Sequence, residues 1–93
     1  MDLKIVNIHN DDYTVYCGRG SIFGNPYKIG VDGNRNEVCD KYENYFHHRI
    51  KNDLEFKEVV ENIKDDDILG CFCKPKRCHV QTIVNYLTEI DEW

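Results

Sequence analysis

The chain has 93 residues, with 12 Lys and Arg against 17 Asp and Glu and a net charge of -5. That length admits one small domain over 1–93 and excludes a two-domain enzyme. The acidic balance excludes a general DNA or RNA coat, so nucleic acid is not an expected partner. A 41% hydrophobic share suits a globular core. No apolar run approaches the roughly 20 residues needed to span a bilayer. Met1-Asp2-Leu3-Lys4-Ile5 also lacks the apolar core of a signal peptide. The expectation is a soluble, cytoplasmic protein that engages no membrane. A domain this small buries only about two-thirds of its unfolded surface, which favours a homo-oligomer or a bound metal.

Leu3 to Ile8 is apolar and β-branched and reads as a strand. Asn10-Asp11-Asp12 is a turn cluster, and Tyr13 to Cys17 reads as a second strand that runs into Gly18-Arg19-Gly20-Ser21. Ser21 to Gly33 is irregular. Asn34 can cap a helix, with Glu37 completing a capping box, and Val38, Tyr42, Tyr45 and Phe46 then share one face. Asn52 or Asp53 can cap a second helix with Phe56, Val59, Val60 and Ile63 inward. Asp65-Asp66-Asp67 reads as a solvated turn, and Ile68 to Cys73 as a buried strand. After the basic loop Lys74-Pro75-Lys76-Arg77, Val80, Ile83, Val84, Leu87 and Ile90 form the clearest helical stripe in the chain. The order β-β-α-α-β-α predicts an α/β or α+β domain, a short sheet of about three strands packed by three helices.

The charge is unevenly placed. No Asp or Glu occurs from Tyr13 to Val31 or from Ile68 to Thr88, and those segments hold Arg19, Lys28, Lys74, Lys76 and Arg77. The remainder keeps 7 of the 12 basic residues and all 17 acidic ones. Removing acids from two segments is one way to build a site for an anion; core-facing segments also exclude acids, which is the competing explanation.

Two constellations could carry chemistry. In Gly18-Arg19-Gly20-Ser21-Ile22-Phe23-Gly24-Asn25-Pro26, glycines allow backbone amides to turn inward, Arg19 can fork onto a phosphate or carboxylate, and Ser21 and Asn25 can hold phosphate or ribose oxygens. The alternative is a tight turn whose glycines serve backbone geometry alone. The second constellation is Cys71-Phe72-Cys73-Lys74-Pro75-Lys76-Arg77-Cys78-His79. Cys71, Cys73, Cys78 and His79 are soft ligands of the kind zinc takes, making a structural zinc domain for protein interaction one alternative. Cys78 beside Lys76 and Arg77 at a helix start could be a thiolate, with Cys78 and His79 as nucleophile and acid or base of a nucleotide- or nucleoside-processing enzyme. The bland reading makes Cys71 and Cys73 small core residues. Cys71 to Arg77 also has the Cys-x5-Arg spacing of a phosphatase loop, but without the glycines that let amides converge. Five cysteines, an odd count, speak against a disulfide framework.

Taken together, Tyr16-Cys17-Gly18-Arg19-Gly20-Ser21, Phe23-Gly24-Asn25-Pro26-Tyr27, and Cys71-Phe72-Cys73-Lys74-Pro75 followed by Cys78-His79 resemble the phage and bacterial family domain of unknown function 4326. The resemblance spans the second strand to the last helix. It implies a compact α/β domain of the kind phages and mobile elements encode, working in the host cytoplasm if viral. It also implies a Gly and an acidic residue after the Cys-His pair. Val80 and Gln81 stand there instead; if that acid serves catalysis in relatives, its loss here counts against catalysis and leaves binding open.

The expected function is binding of a small phosphorylated ligand, a nucleotide or nucleotide-derived signal, as in a phage-encoded protein that sequesters a host defence signal. No cofactor is expected apart from the zinc alternative. The candidate ligand-binding residues are Gly18, Arg19, Gly20, Ser21, Phe23, Gly24, Asn25, Tyr27, Lys74, Lys76 and Arg77, with Phe23 or Tyr27 stacking on a base.

Overall fold

Parallel strands need long connections, and this short chain meets that demand in two different ways. The computed structural model describes residues 3–91 and contains β1 (Lys4–Asn7), β2 (Val15–Tyr16), α1 (Arg35–Asn52), α2 (Leu54–Glu61), β3 (Ile68–Cys71) and α3 (Val80–Asp91). The order β-β-α-α-β-α and the α/β class are as the sequence predicts. Met1 and Asp2 of the N-terminal reading, and the last two positions of the 1–93 domain, lie outside the described residues.

The sheet is entirely parallel, with β3 in the centre of the order β1-β3-β2. Lys4 to Asn7 pair with Ile68 to Cys71, and Val15 and Tyr16 pair with Leu69 and Gly70. The long connection from β2 to β3 carries α1 and α2. The connection from β1 to β2 has no helix. It leaves beside the end of β3, where the Ile8 N–H donates to Cys71 O at 3.0 Å, and returns beside its start, where the Thr14 N–H donates to Ile68 O at 2.9 Å. A parallel crossover usually needs about a dozen residues or more. This shorter one fits because it lies flat on Gly70: a Cβ there would sit 2.7 Å from both Ile8 Cγ2 and Tyr13 Cγ.

Side chains alternate along a strand, so Leu69 and Cys71 point opposite to the bare face of Gly70. Both are buried, in one cluster with Tyr42 and Phe46 of α1, Phe56 and Val60 of α2, and Val80, Ile83 and Leu87 of α3. The helices therefore cover one face of the sheet, and the crossover covers the other.

Local signals set the helix ends. Asn34 Oδ1 accepts the Glu37 N–H at 2.9 Å, and Glu37 Oε1 accepts the Asn34 N–H at 3.0 Å, so the capping box forms. Asp53 ends α1 and caps α2: Oδ1 accepts from the Phe56 N–H at 3.1 Å and Oδ2 from Arg49 Nε at 3.1 Å.

The strands are shorter than the sequence predicts. β3 stops at Cys71 instead of reaching Cys73, because its neighbour β1 ends at Asn7. There the Asn7 side chain replaces the backbone ladder, with Nδ2 donating to Phe72 O at 3.3 Å and to Lys74 O at 2.9 Å. Val59, expected inward, is 38% exposed because Phe56, Val60 and Ile63 form the buried stripe. Among the described residues, no helix is long and apolar enough to cross a membrane.

Candidate ligand-binding cleft

In a parallel sheet, the loops that leave the carboxyl ends of the strands gather along one edge, where α/β folds place their ligands. Here those loops are the glycine turn after β2 and the segment after β3, and they enclose a cleft of about 480 Å³ with the start of α1. Gly18 and Arg19 come from the first loop and Phe72 and Cys73 from the second, with Arg35, Val38 and Cys39 on α1. Asn25, Tyr27, Lys28, Ile29 and Val31 close one side, and His79 lies in the wall just before α3.

The glycine turn is built by its own hydrogen bonds. Ser21 Oγ donates to Gly18 O at 2.7 Å. Asn25 Oδ1 accepts the Tyr27 N–H at 2.9 Å, and Asn25 Nδ2 donates to Val38 O at 3.1 Å, which ties the turn to α1. Phe23 is buried in the core, and the buried Tyr42 hydroxyl donates to its carbonyl at 3.0 Å. Of the residues proposed from sequence, Gly18, Arg19, Asn25 and Tyr27 line the cleft. Gly20, Ser21, Phe23 and Gly24 shape the turn and are not in the wall. Phe23 cannot stack on a ligand from its buried position, whereas Tyr27 remains at the wall.

The basic loop is placed differently from its sequence reading. Lys74, Lys76 and Arg77 are outside the cleft lining. Arg77 turns to α1, where NH2 donates to Asp40 Oδ1 at 2.8 Å and NH1 to Asn36 O at 3.1 Å. Lys28 and Arg35 supply the cleft's positive charge instead, together with Arg19, and no carboxylate among the described residues lines it. Two other hollows are acidic, one lined by Glu58 and Glu61 on α2 and one by Asp65, Asp66 and Asp67 at the start of β3. Arg19 also differs from the other three arginines. Arg35, Arg49 and Arg77 each donate to a protein oxygen, whereas the Arg19 guanidinium has no hydrogen-bond or ion-pair partner among the described residues.

His79 Nε2 lies 2.8 Å from Cys17 O, so this nitrogen carries the proton and donates. Its Nδ1 faces Cys78 Sγ at 3.7 Å, and the ring packs edge-on against Tyr42 at 4.8 Å. Burial lowers the His79 pKa below its ordinary value; the backbone contacts to Cys17 and Phe23 oppose this, and Arg19 adds to it. The ring is therefore neutral near pH 7, with its Nε2 proton committed to Cys17 O. Cys78 and Cys71 are buried and in contact. Cys71 is held low, first by the Cys78 thiol donating to it and then by the Cys73 and Lys74 amides; Cys78 is held high by giving that bond and by burial.

The metal set named from sequence does not assemble. Among the described residues, no three His, Cys, Asp or Glu side chains converge as metal ligands. Cys71 lies in the core while Cys73, beyond the end of the strand, lines the cleft. The Cys71 and Arg77 of the phosphatase-like spacing are also apart in role, one a core thiol and the other bound to Asp40.

The family model for Domain of unknown function (DUF4326) matches residues 4–89. The chain belongs to that family. The DUF4326 span contains every residue of the cleft. The chain is 35% identical over 92 residues to the uncharacterized 12.4 kDa protein in the nrdA-td intergenic region of Enterobacteria phage T4, covering 95% of this chain and 82% of the phage protein. No solved structure matches the chain.

Cleft residues that sequence reasoning missed include Lys28, Ile29, Val31, Arg35, Cys39 and Phe72. Lys28 had a signal in its acid-free segment. Arg35 had none, since Asn34-Arg35-Asn36-Glu37 reads as an ordinary helix start.

Proposed function

We propose that the chain binds a small phosphorylated ligand, a nucleotide or nucleotide-derived signal, in the cleft at the carboxyl edge of its sheet. The observation that carries this reading is the lining of that cleft: Arg19, Lys28 and Arg35 with no carboxylate among the described residues, in a chain of net charge -5. Cations on a concave wall reinforce one another's field. A guanidinium free of protein partners, as in Arg19, is ready to fork onto phosphate oxygens. The volume of about 480 Å³ falls within the usual range for small-molecule sites.

Binding without turnover fits these side chains better than catalysis. His79 reaches the cleft wall, but it is buried and its Nε2 proton is committed to the Cys17 carbonyl. Cys78 is buried and held protonated. A sequestering role needs no reacting group, and in a phage-encoded protein its cargo would be a host defence signal.

The test is a thermal-shift screen against nucleotides, cyclic nucleotides and adenosine-diphosphate-ribose compounds, with chromatography of each recovered ligand. A ligand at a hundred times its Kd adds about 2.7 kcal/mol, a shift of several degrees in a domain this size. Stabilisation with the ligand recovered intact is the expected result. An altered ligand would make the protein an enzyme, and no stabilisation by any compound would overturn the reading.

A further inference from the structure

We infer that Phe72 is the platform on which the ligand's planar ring stacks, so that the cleft takes a nucleoside phosphate and not a bare sugar phosphate. This rests on the anion-binding reading above and assigns the other end of the ligand. Phe72 is a large apolar side chain that remains 48% exposed, and it lies in the cleft wall directly after the central strand. It is firmly held at that position. Asn7 Nδ2 donates to its carbonyl, His9 packs against its ring at 5.4 Å, and Tyr16 meets it edge-on at 6.2 Å. An aromatic ring fixed from behind and open to a cleft loses little freedom when a base stacks on it.

Tyr16 also sets the spacing between ring and cation. Its ring contacts Phe72, while its hydroxyl donates to Arg19 O at 3.1 Å. The same side chain thus locates both the platform and the backbone of the unpaired guanidinium. Gly18 keeps that arrangement open, because a Cβ there would run into the Tyr16 ring. The exposed side chains of Ile29 and Val31 lie in the same lining and extend the apolar surface available to a base. A ligand with a flat ring at one end and phosphate at the other matches both chemistries.

The experiment measures Kd for adenosine 5′-monophosphate and for ribose 5-phosphate with the wild type, Phe72→Ala and Phe72→Trp. Removing a stacking ring weakens base binding by about 5- to 100-fold. Phe72→Ala should show that loss for the nucleotide and leave ribose 5-phosphate unchanged. Phe72→Trp should retain nucleotide binding, and its added indole fluorescence should change on binding. An equal effect of Phe72→Ala on both probes, or on neither, would overturn the platform while leaving the anion cleft intact. If neither probe binds the wild type, the anion cleft falls and the platform falls with it. A Phe72→Ala protein that does not fold transfers the decision to Phe72→Trp, whose unchanged fluorescence on nucleotide binding would refute stacking.

Discussion

The imidazole of His79 donates from Nε2 to the carbonyl of Cys17 at 2.8 Å, joining the start of α3 to the end of β2. The residues are 62 apart in the chain, one in each of the two segments that lack acidic residues. Those segments therefore meet at the carboxyl edge of the sheet, and among the described residues no carboxylate lines the cleft they form with the start of α1.

The burial of this imidazole gives the fold a pH dependence with a definite sign. Burial lowers the His79 pKa below 6.5, so the unfolded chain binds a proton at pH values where the folded chain does not. Stability is fully present above the ordinary histidine value and falls as the pH drops past it, by at most about 1.4 kcal/mol per pH unit for one proton. Urea unfolding between pH 7.5 and 5.5 should show this decline, and His79→Gln should be less stable overall and flatter across that range. Equal pH slopes in the two proteins would remove His79 as the cause.

Arg19 and Arg77 should separate cleanly. Arg19→Ala should weaken adenosine 5′-monophosphate binding by about 10- to 100-fold, the size of a charge-assisted hydrogen bond, with an unchanged melting temperature. Arg77→Ala removes an exposed pair with Asp40, so it should cost at most about 1 kcal/mol of stability and leave affinity unaltered. Calorimetric titration of both variants checks the contrast, and the reverse pattern would restore the basic loop as the ligand site.

The thiols should react in an order set by burial. Cys17, Cys39, Cys71 and Cys78 are buried, and burial pushes the Cys17 thiol up to about 12. Cys73 is half-buried and lies in the cleft wall. Limited treatment with iodoacetamide, read by mass spectrometry, should modify Cys73 first, and a bound nucleotide should slow that modification. First modification at Cys78 would instead favour the catalytic reading.

Gly70→Ala should destabilise the domain by about 1–3 kcal/mol or more, the usual cost of overpacking. The new methyl would meet Ile8 and Tyr13 of the crossover at 2.7 Å. Chemical denaturation measures this directly, and a loss below about 0.5 kcal/mol would mean that the crossover can lift away at little cost.

The helices were readable from sequence because their signals are local. Asn34 with Glu37, Asp53 as a cap and the stripe Val80, Ile83, Leu87 each act within a few residues. The cleft was readable only in part, because its walls depend on distant pairings. The glycine turn announced itself by composition, but Phe23 was drawn into the core by Tyr42, and Arg77 was drawn away by Asp40. Asn7, which pins the loop after β3 from 65 and 67 residues away, has no local mark at all. Gly70 looked like one more residue of an apolar run, since the crossover that requires it is a tertiary feature.

The most direct test of the central claim is to map amide chemical shifts of the labelled protein during titration with adenosine 5′-monophosphate. Saturable shifts concentrated at Gly18 to Gly20, Lys28, Arg35 and Phe72 to Cys73 are the predicted result. No saturable shifts, or shifts centred on the α2 hollow around Glu58 and Glu61, would contradict it.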